Sequence, residues 1–200
     1  LPKREDWTGE TTVTFNHIGD YPSCGLDTER IGGRRHYKTP TGKKYPSVTE
    51  VTGLLNKGWL AKWRASVGEK EANRIGGLAA RRGSKYHALQ ESLLKNELTV
   101  PELNASTPEV RGLFNQTMGI CEKHIDNIHM LEGSLYSDEI EMAGRVDCIA
   151  EFDGELSVID FKTSSRKKSL SGIQSYLLQE AAYAFMFEER FGKLVGNLVT

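Results

Sequence analysis

An Asp-Gly pair, Asp153 and Gly154, lies between two runs of mostly apolar and β-branched residues and constrains the fold more than any other feature of this sequence. The pair favours the two-residue turn of a β-hairpin, because both turn positions need a positive φ angle. We therefore predict adjacent antiparallel strands at 140–152 and 156–163. The apolar start of the second strand, 156–159, is expected to lie inside a sheet.

This hairpin brings two carboxylates and a lysine together. Asp160 and Lys162 are two positions apart, so their side chains leave one face of a strand, and antiparallel pairing lets Asp147 reach that face. Carboxylate oxygens suit Mg²⁺ or Mn²⁺, and a neighbouring ammonium can hold or activate water and offset phosphate charge. The alternative is a solvated ion pair beside a strand-ending Asp147. The apolar surroundings favour the metal site, because charges are rarely buried without a purpose.

Two further pairs of polar residues are each four positions apart, a spacing that places both members on one face of a helix. Gln179 and Tyr183 could contact a substrate phosphate or orient Lys162, although a helical tyrosine is commonly a buried aromatic with a satisfied hydroxyl. His87 could be a metal ligand, with Glu91 as a weaker candidate, or the pair could be a surface interaction. No His-Glu-x-x-His pattern occurs, so zinc protease chemistry is not expected.

Taken in order along the chain, these motifs resemble those of the PD-(D/E)XK nuclease superfamily, in its RecB-like exonuclease branch. Within that branch they are most similar to the mitochondrial genome maintenance type and its phage-type relatives. The segments that carry the resemblance are 45–50, 60–64, 82–91, 131–164 and 179–183. The resemblance implies an α/β fold with a restriction-endonuclease-like core, in which helices flank a mixed central sheet. It also implies an N-terminal irregular or β segment at 1–46 and a nuclease core at 47–200, which starts with helices and is expected to continue past residue 200.

The resemblance further implies metal-dependent hydrolysis of phosphodiester bonds in DNA. The implied catalytic residues are Asp147, Asp160, Lys162, Gln179 and Tyr183. The implied metal ion is Mg²⁺ or Mn²⁺, held by His87, Asp147, Asp160 and the main-chain carbonyl of Phe161. In this scheme Lys162 positions or activates the attacking water, while Gln179 and Tyr183 orient the substrate.

Two other acidic residues, Glu132 and Glu141, stay outside the predicted site. Glu141 lies six positions before Asp147. Its side chain therefore shares the face of Asp147 only when no β-bulge intervenes. Each of the two glutamates is either an additional acidic ligand or a solvated strand residue.

The formal net charge is −1, so a DNA-binding protein of this composition must concentrate its basic residues locally. Two basic groups flank the motifs described above. They predict DNA contacts at Arg82, Lys85, Arg166, Lys167 and Lys168. A third basic group, at 30–44, is equally compatible with a solvated surface.

The three cysteines, Cys24, Cys121 and Cys148, are isolated from one another, so they cannot build a zinc ribbon or a four-thiolate iron–sulfur cluster. Their odd number and scattered positions indicate a reducing, intracellular setting. The resemblance implies the cytoplasm of a bacterial or phage-infected cell, or the mitochondrial matrix. No apolar run is long enough to cross a membrane. A hydrophobic content of 38% is sufficient for one core.

Single-stranded DNA with free ends is the substrate that the resemblance favours. Bases could stack on Trp59, Trp63, Tyr86 or Phe114, although most such aromatics are simply packed. A replication or recombination protein is a candidate partner.

Three alternatives stay open: an endonuclease of the same fold, a catalytically silent DNA-binding module of a recombination complex, and a phosphohydrolase of small substrates. Intact Asp147, Asp160 and Lys162 disfavour the silent module. The lack of a glycine-rich phosphate loop and the dispersed basic groups disfavour the phosphohydrolase.

The N-terminal half of the chain also carries local signals. A turn at 39–42 is expected between two short strands. Ser47 and Glu50 have the spacing of a capping box that begins a helix.

Longer helices are predicted from periodicity at 60–67 and 69–94, the second interrupted near Gly76, Gly77 and Gly83. Another helix begins after 106. Its apolar stripe comprises Val110, Leu113, Phe114, Met118, Cys121, Ile125 and Ile128. Strands are expected near 130–137 and 194–200.

Overall fold

The computed structural model describes residues 13–19 and 21–200, and the rest of the predicted N-terminal segment lies outside this description. The strands are β1 (Asp27–Ile31), β2 (Arg34–Lys38), β3 (Lys44–Pro46), β4 (Ile125–Ser137), β5 (Met142–Phe152), β6 (Glu155–Ile159) and β7 (Asn197–Val199). The helices are α1 (Val48–Thr52), α2 (Lys57–Val67), α3 (Glu69–Leu94), α4 (Val100–Asn104), α5 (Pro108–His124) and α6 (Gln174–Phe191). Short 3₁₀ turns at Gly53–Asn56 and Leu170–Gly172 precede α2 and α6.

A four-stranded sheet in the order β4-β5-β6-β7 forms the centre of the molecule. Strands β4, β5 and β6 pair antiparallel, whereas β6 and β7 pair parallel. A parallel pair needs a long crossover connection, and α6 provides it. The predicted α/β fold, with a mixed sheet flanked by helices, is therefore confirmed.

Helices cover both faces of this sheet. On one face, α3 and α5 pack on the strands through a cluster that includes Leu89 and Phe114. On the other face, α6 and α1 pack through a second cluster that includes Val48 and Phe187. Burial on both sides fits the many apolar residues of β5 and β6, and the charged exceptions within β5 are Arg145, Asp147 and Glu151. The end of β6 consequently lies between α3 and α6.

A second, three-stranded antiparallel sheet has the order β1-β2-β3. Its Tyr37 and Tyr45 form a buried cluster with Tyr136 of β4 and Ala143 of β5. The Tyr45 hydroxyl also donates a hydrogen bond to Asp138 Oδ1 at 2.7 Å. The small sheet is thus fixed against the turn end of the β4–β5 hairpin. The domain division at residue 47 stays a prediction.

Two predictions about the helices are wrong. Helix α3 runs unbroken through its glycines, because each costs only about 1 kcal/mol in helix propensity and buried residues such as Leu89 and Leu93 anchor the C-terminal part of the helix. A Cβ atom at Gly83 would lie 3.8 Å from Thr163 Oγ1, which is an ordinary van der Waals contact, so no close approach requires this glycine. Helix α5 ends at His124, so Ile125 and Ile128 continue the apolar stripe as buried residues of β4.

The predicted capping box is also wrong, although α1 does begin after Ser47. The Ser47 hydroxyl pairs with Thr49 Oγ1 at 2.6 Å and makes no capping hydrogen bond. The Glu50 carboxylate accepts a hydrogen bond from the backbone N–H of Arg35 at 3.2 Å. A tertiary partner on β2 has therefore replaced the local one. Among the described residues, no helix has both the length and the apolar character needed to cross a bilayer.

Candidate active site

The Asp-Gly hairpin forms as predicted. Asp153 and Gly154 have φ angles of 53° and 82°, and Phe152 pairs with Glu155 across the turn. The Asp153 N–H donates to the carbonyl of His124 at 2.9 Å, and the His124 ring lies 2.6 Å from the Asp153 carboxylate. The turn is therefore attached to the end of α5, which fixes the hairpin relative to the helical layer.

Asp147 lies where β5 meets α3 and the end of β6. Its Oδ2 atom accepts a hydrogen bond from the backbone N–H of Phe161 at 2.9 Å. The same oxygen lies 3.5 Å from His87 Nδ1, on the α3 face. The structure thus brings together the predicted histidine and aspartate. The contact from Phe161 is made by its N–H, and metal binding by its carbonyl stays a prediction.

Asp160 and Lys162 follow β6, which ends at Ile159 and not at Thr163 as predicted. The Asp160 side chain is 1% exposed, and its Oδ1 atom accepts a hydrogen bond from Gln179 Nε2 at 2.8 Å. Its Oδ2 atom forms an ion pair with Lys162 Nζ. Burial raises the pKa of Asp160, and the Lys162 ammonium opposes this effect. Asp160 is thereby held between α6 and the lysine.

Tyr183 connects the helix motif to the strand motif. Its ring is 2% exposed and packs against Gly144: a Cβ atom at Gly144 would lie 2.7 Å from Cε1 and 2.8 Å from the hydroxyl oxygen of Tyr183. Burial raises the pKa of the Tyr183 hydroxyl, and the charge of Asp160 adds to this shift. Gly144 is therefore needed because any side chain there would clash with Tyr183. Tyr183 is both a core residue and part of the cleft lining.

These residues line a single cleft of about 770 Å³. Its walls come from α3, β4, β5, α6 and the small sheet. The polar side chains of the central part are His87, Glu132, Asp147, Lys162, Gln179 and Tyr183. The buried Asp160 lies directly behind Lys162 and Gln179. Four of the five predicted catalytic residues thus line the cleft, and the fifth contacts two of them.

Glu132 belongs to the cleft although it was left outside the predicted site. Glu132, His87 and Asp147 each offer one potential metal-ligand atom, and these three atoms lie within 4.8 Å of one another. Burial raises the pKa of Glu132 to about 7, and the Arg145 guanidinium, 2.8 Å away, opposes this effect. Glu141, by contrast, is exposed in the β4–β5 turn with a φ angle of 49° and takes no part.

The hairpin register is the signal that identifies Glu132. Ser137 pairs with Met142 at the turn, and the same register holds as far as the pair of Met130 and Ile149. Glu132 and Asp147 are equally far from that turn, so they lie opposite each other. Opposite residues in an antiparallel pair lie on the same face. Placing the turn at 138–141 from the sequence would therefore have paired the two carboxylates.

The donor set fits a divalent cation. One imidazole nitrogen and several carboxylate oxygens converge, and such oxygen-rich sites suit Mg²⁺ or Mn²⁺. The buried Asp160 Oδ2 atom has no hydrogen-bond partner apart from its ion pair with Lys162 among the residues that the structure describes. Glu91 also lines the cleft, but it forms an ion pair with Lys95 at 2.6 Å.

The predicted DNA-binding residues occupy different environments. The Arg82 side chain is 16% exposed and donates to Glu109 at 2.9 Å, so its guanidinium already has a carboxylate partner. Lys85 is exposed on α3. Arg166, Lys167 and Lys168 lie in the exposed loop after Lys162, where Lys168 Nζ contacts the hydroxyl of Tyr176.

The four aromatics proposed for base stacking separate into two groups. Tyr86 and Phe114 are 2% and 0% exposed, so that prediction is wrong for them because both belong to the core under α3. Trp59 is 67% exposed, and its ring stacks on Trp63 with centroids 6.1 Å apart.

The basic group at 30–44 is largely a paired surface. Lys43 and Lys44 form ion pairs with Asp138 and Glu29 at 3.1 and 3.0 Å. Arg35 alone of this group lines the cleft.

The sequence of the chain is similar to those of known proteins. A sequence profile of the PD-(D/E)XK nuclease superfamily matches residues 43–198. Mitochondrial genome maintenance exonuclease 1 of Homo sapiens is 27% identical over 149 residues, which cover 69% of this chain and 42% of the human protein. The protein of the same name from Mus musculus is 30% identical over 136 residues, which cover 62% of this chain and 38% of the mouse protein. The protein of the same name from Xenopus tropicalis is 26% identical over 131 residues, which cover 62% of this chain and 37% of the Xenopus protein. The chain therefore spans at most 42% of the length of these relatives.

Proposed function

Because this chain belongs to the PD-(D/E)XK nuclease superfamily, we propose that it is a metal-dependent DNA exonuclease acting on single-stranded ends. The observation that carries the proposal is the convergence of His87, Glu132 and Asp147 beside the Asp160–Lys162 ion pair in one open cleft. The matched relatives are named exonucleases, and their share of identity supports the same reaction class here.

A metal ion would be held by side chains from three elements and one loop. The proposed ligands are His87, Glu132, Asp147, Asp160 and the carbonyl of Phe161. A bound Mg²⁺ or Mn²⁺ supplies a Lewis acid that stabilises the phosphoryl charge and makes water a better nucleophile. Thermal unfolding with and without Mn²⁺ tests this directly: the ion should raise the midpoint for the native chain and not for the His87→Ala variant.

Lys162 acts on the water and the phosphate in this proposal. Its side chain is 25% exposed, lines the cleft and is tethered by Asp160, so its ammonium could hold a water molecule and offset charge on the phosphate. Gln179 acts through Asp160, whose carboxylate it fixes by a 2.8 Å hydrogen bond. It is therefore a positioning residue.

Features of the surface support a single-stranded polymer as substrate. The exposed Trp59–Trp63 stack offers flat apolar rings on which unpaired bases can stack. The exposed Lys85 and the loop 166–168 supply cations for backbone phosphates, in a chain whose net charge is only −1. An exonuclease of this kind would act inside the cell, with replication or recombination proteins as partners.

The first experiment is digestion of end-labelled linear single-stranded DNA and of a closed circle with the same sequence. Both are incubated with Mg²⁺, with Mn²⁺ and with chelator. We expect the linear strand alone to be degraded, only with metal, and at least 10²-fold more slowly by Lys162→Ala. Lys123→Ala, which removes an exposed lysine of α5, is the matched control and should keep the native rate.

The other outcomes identify the rivals. Cutting of the circle would make the protein an endonuclease of the same fold. DNA binding with no cutting of either substrate would make it a catalytically silent binding module. Neither binding nor cutting of DNA, with hydrolysis of small phosphate esters instead, would favour a phosphohydrolase.

A further inference from the structure

Arg145 lies in the centre of the cleft wall, on β5 between Gly144 and Asp147. It pairs with Ser134 of β4, and both residues line the cleft. Its Nε atom is 2.8 Å from Glu132 Oε2. The Arg145 side chain is 63% exposed, whereas that of Glu132 is 15% exposed. The guanidinium therefore bridges a mostly buried carboxylate and the open cleft.

The outer nitrogens of this guanidinium are available. Within residues 13–19 and 21–200, neither Nη1 nor Nη2 of Arg145 donates a hydrogen bond to another residue, and the ion-pair contact of 2.8 Å to Glu132 is made by Nε. The other two cations that line the cleft differ: Arg35 donates to Thr49 Oγ1 at 2.9 Å, and Lys162 is paired with Asp160. A guanidinium with two free parallel donors matches the oxygens of a phosphate.

The charge of the cleft also calls for such a residue. Its lining carries the carboxylates of Glu91, Glu132 and Asp147, which repel a polyanion. Glu91 is offset by Lys95 outside the lining. Arg145 is placed to offset Glu132 on one side and a substrate phosphate on the other.

We propose that Arg145 binds a backbone phosphate of the DNA strand and, through Nε, positions the carboxylate of Glu132. This inference rests on the proposed nuclease function. It assigns the substrate contact to a named side chain of β5, two residues from Asp147.

The test measures binding and turnover separately. Affinity for a fluorescein-labelled single-stranded oligonucleotide is measured in chelator between 50 and 200 mM salt, and kcat and KM are measured with metal. For Arg145→Ala we expect about tenfold weaker binding and a salt slope lower by about 0.7, the contribution of one phosphate of a single strand. KM should rise more than kcat falls. Arg145→Lys should keep the slope, because it keeps the charge.

Two controls separate the alternatives. Glu132→Gln should keep the salt slope, because it removes only the inner partner. Arg74→Ala removes an arginine with similar exposure, which pairs with Glu71 at 2.7 Å outside the cleft. This variant should change neither the oligonucleotide affinity nor the salt slope.

An unchanged slope in Arg145→Ala, in a protein that cuts DNA normally or only with reduced kcat, overturns the phosphate contact and leaves the nuclease function standing. If Arg145→Ala does not fold, Arg145→Gln replaces it, because it also removes the charge; an unchanged slope in that variant overturns the phosphate contact equally. A native protein that neither binds nor cuts DNA contradicts the nuclease function itself.

Discussion

Helix α6 carries two residues of the cleft, whereas helix α2 precedes the site motifs in the sequence, and the two helices differ sharply in burial. Eight residues of α6 are buried, among them Gln179, Tyr183 and Phe187. Helix α2 has no buried residue, and its Trp59 and Leu60 are 67% and 43% exposed. The Gln179 amide and the Tyr183 phenol are therefore fixed by the core, whereas α2 leaves the side chains of Trp59 and Leu60 exposed. Helix α6 thus holds its side chains rigidly, whereas the side chains of α2 are free to adjust.

The largest expected effect distinguishes the two helices by stability. Phe187 is fully buried in the cluster between α6 and the sheet, so Phe187→Ala should reduce the free energy of unfolding by about 3–5 kcal/mol. Urea denaturation followed by circular dichroism measures the change. The exposed aromatic of α2 is the control: Trp59→Ala should alter stability by less than about 0.5 kcal/mol. Equal losses in both variants would mean that α2 is packed as tightly as α6.

A second prediction concerns the contact between α6 and β5. Gly144→Ala places a methyl group against the ring of Tyr183, and the two cannot occupy the same space without a shift. We expect a loss of about 1–3 kcal/mol in stability, together with slower DNA hydrolysis as Tyr183 moves. Gly119→Ala on α5 meets open space and should be neutral or stabilising by up to about 1 kcal/mol. If the two alanine variants unfold at the same denaturant concentration, Tyr183 is not confined by Gly144.

A third prediction tests the positioning role of Gln179. Gln179→Ala removes the hydrogen bond to the buried Asp160 carboxylate. Loss of such an outer partner of a metal ligand typically costs about 10–100-fold in metal affinity or activity. We expect kcat to fall by that factor while the oligonucleotide affinity in chelator stays native. Gln116→Ala, at an exposed position of α5, serves as the comparison. A change in oligonucleotide affinity alone would make Gln179 a substrate contact.

A fourth prediction concerns Trp59 of α2, whose replacement should barely affect folding but should weaken DNA binding. Trp59→Ala, which leaves the core untouched, should weaken binding of single-stranded DNA by about 1–3 kcal/mol if one base stacks on the ring. Trp59→Phe should restore most of that affinity. Fluorescence anisotropy measures both variants. Unaltered affinity in Trp59→Ala would remove α2 from the DNA-binding surface.

Local chemistry was enough to predict the parts of the fold that depend on short-range pattern. The Asp153-Gly154 turn, the apolar strands beside it and the periodicity of α6 each follow from backbone preference and side-chain alternation. The predicted break in α3 failed, because a glycine costs only about 1 kcal/mol in a helix and the buried C-terminal part of α3 anchors the whole element. The capping box failed because Arg35, distant in sequence, offered Glu50 a different partner.

The site shows the same division. Motif spacing alone placed Asp147, Asp160, Lys162, Gln179 and Tyr183 among the candidates, because residues two apart on a strand or four apart on a helix share a face. Which of them touch was decided by the tertiary structure. Gln179 contacts Asp160, Tyr183 contacts Gly144, and Arg145 contacts Glu132 only because β4, β5 and α6 pack together.

The sequence by itself determined the strands, the turn between them and the identity of the central carboxylates and lysine, since these depend on neighbours along the chain. Only the tertiary structure decided that Glu132 faces Asp147, that Tyr86 and Phe114 are core residues, and that Arg145 keeps two donors free. Burial and register join residues that are far apart in sequence, and no local propensity encodes them.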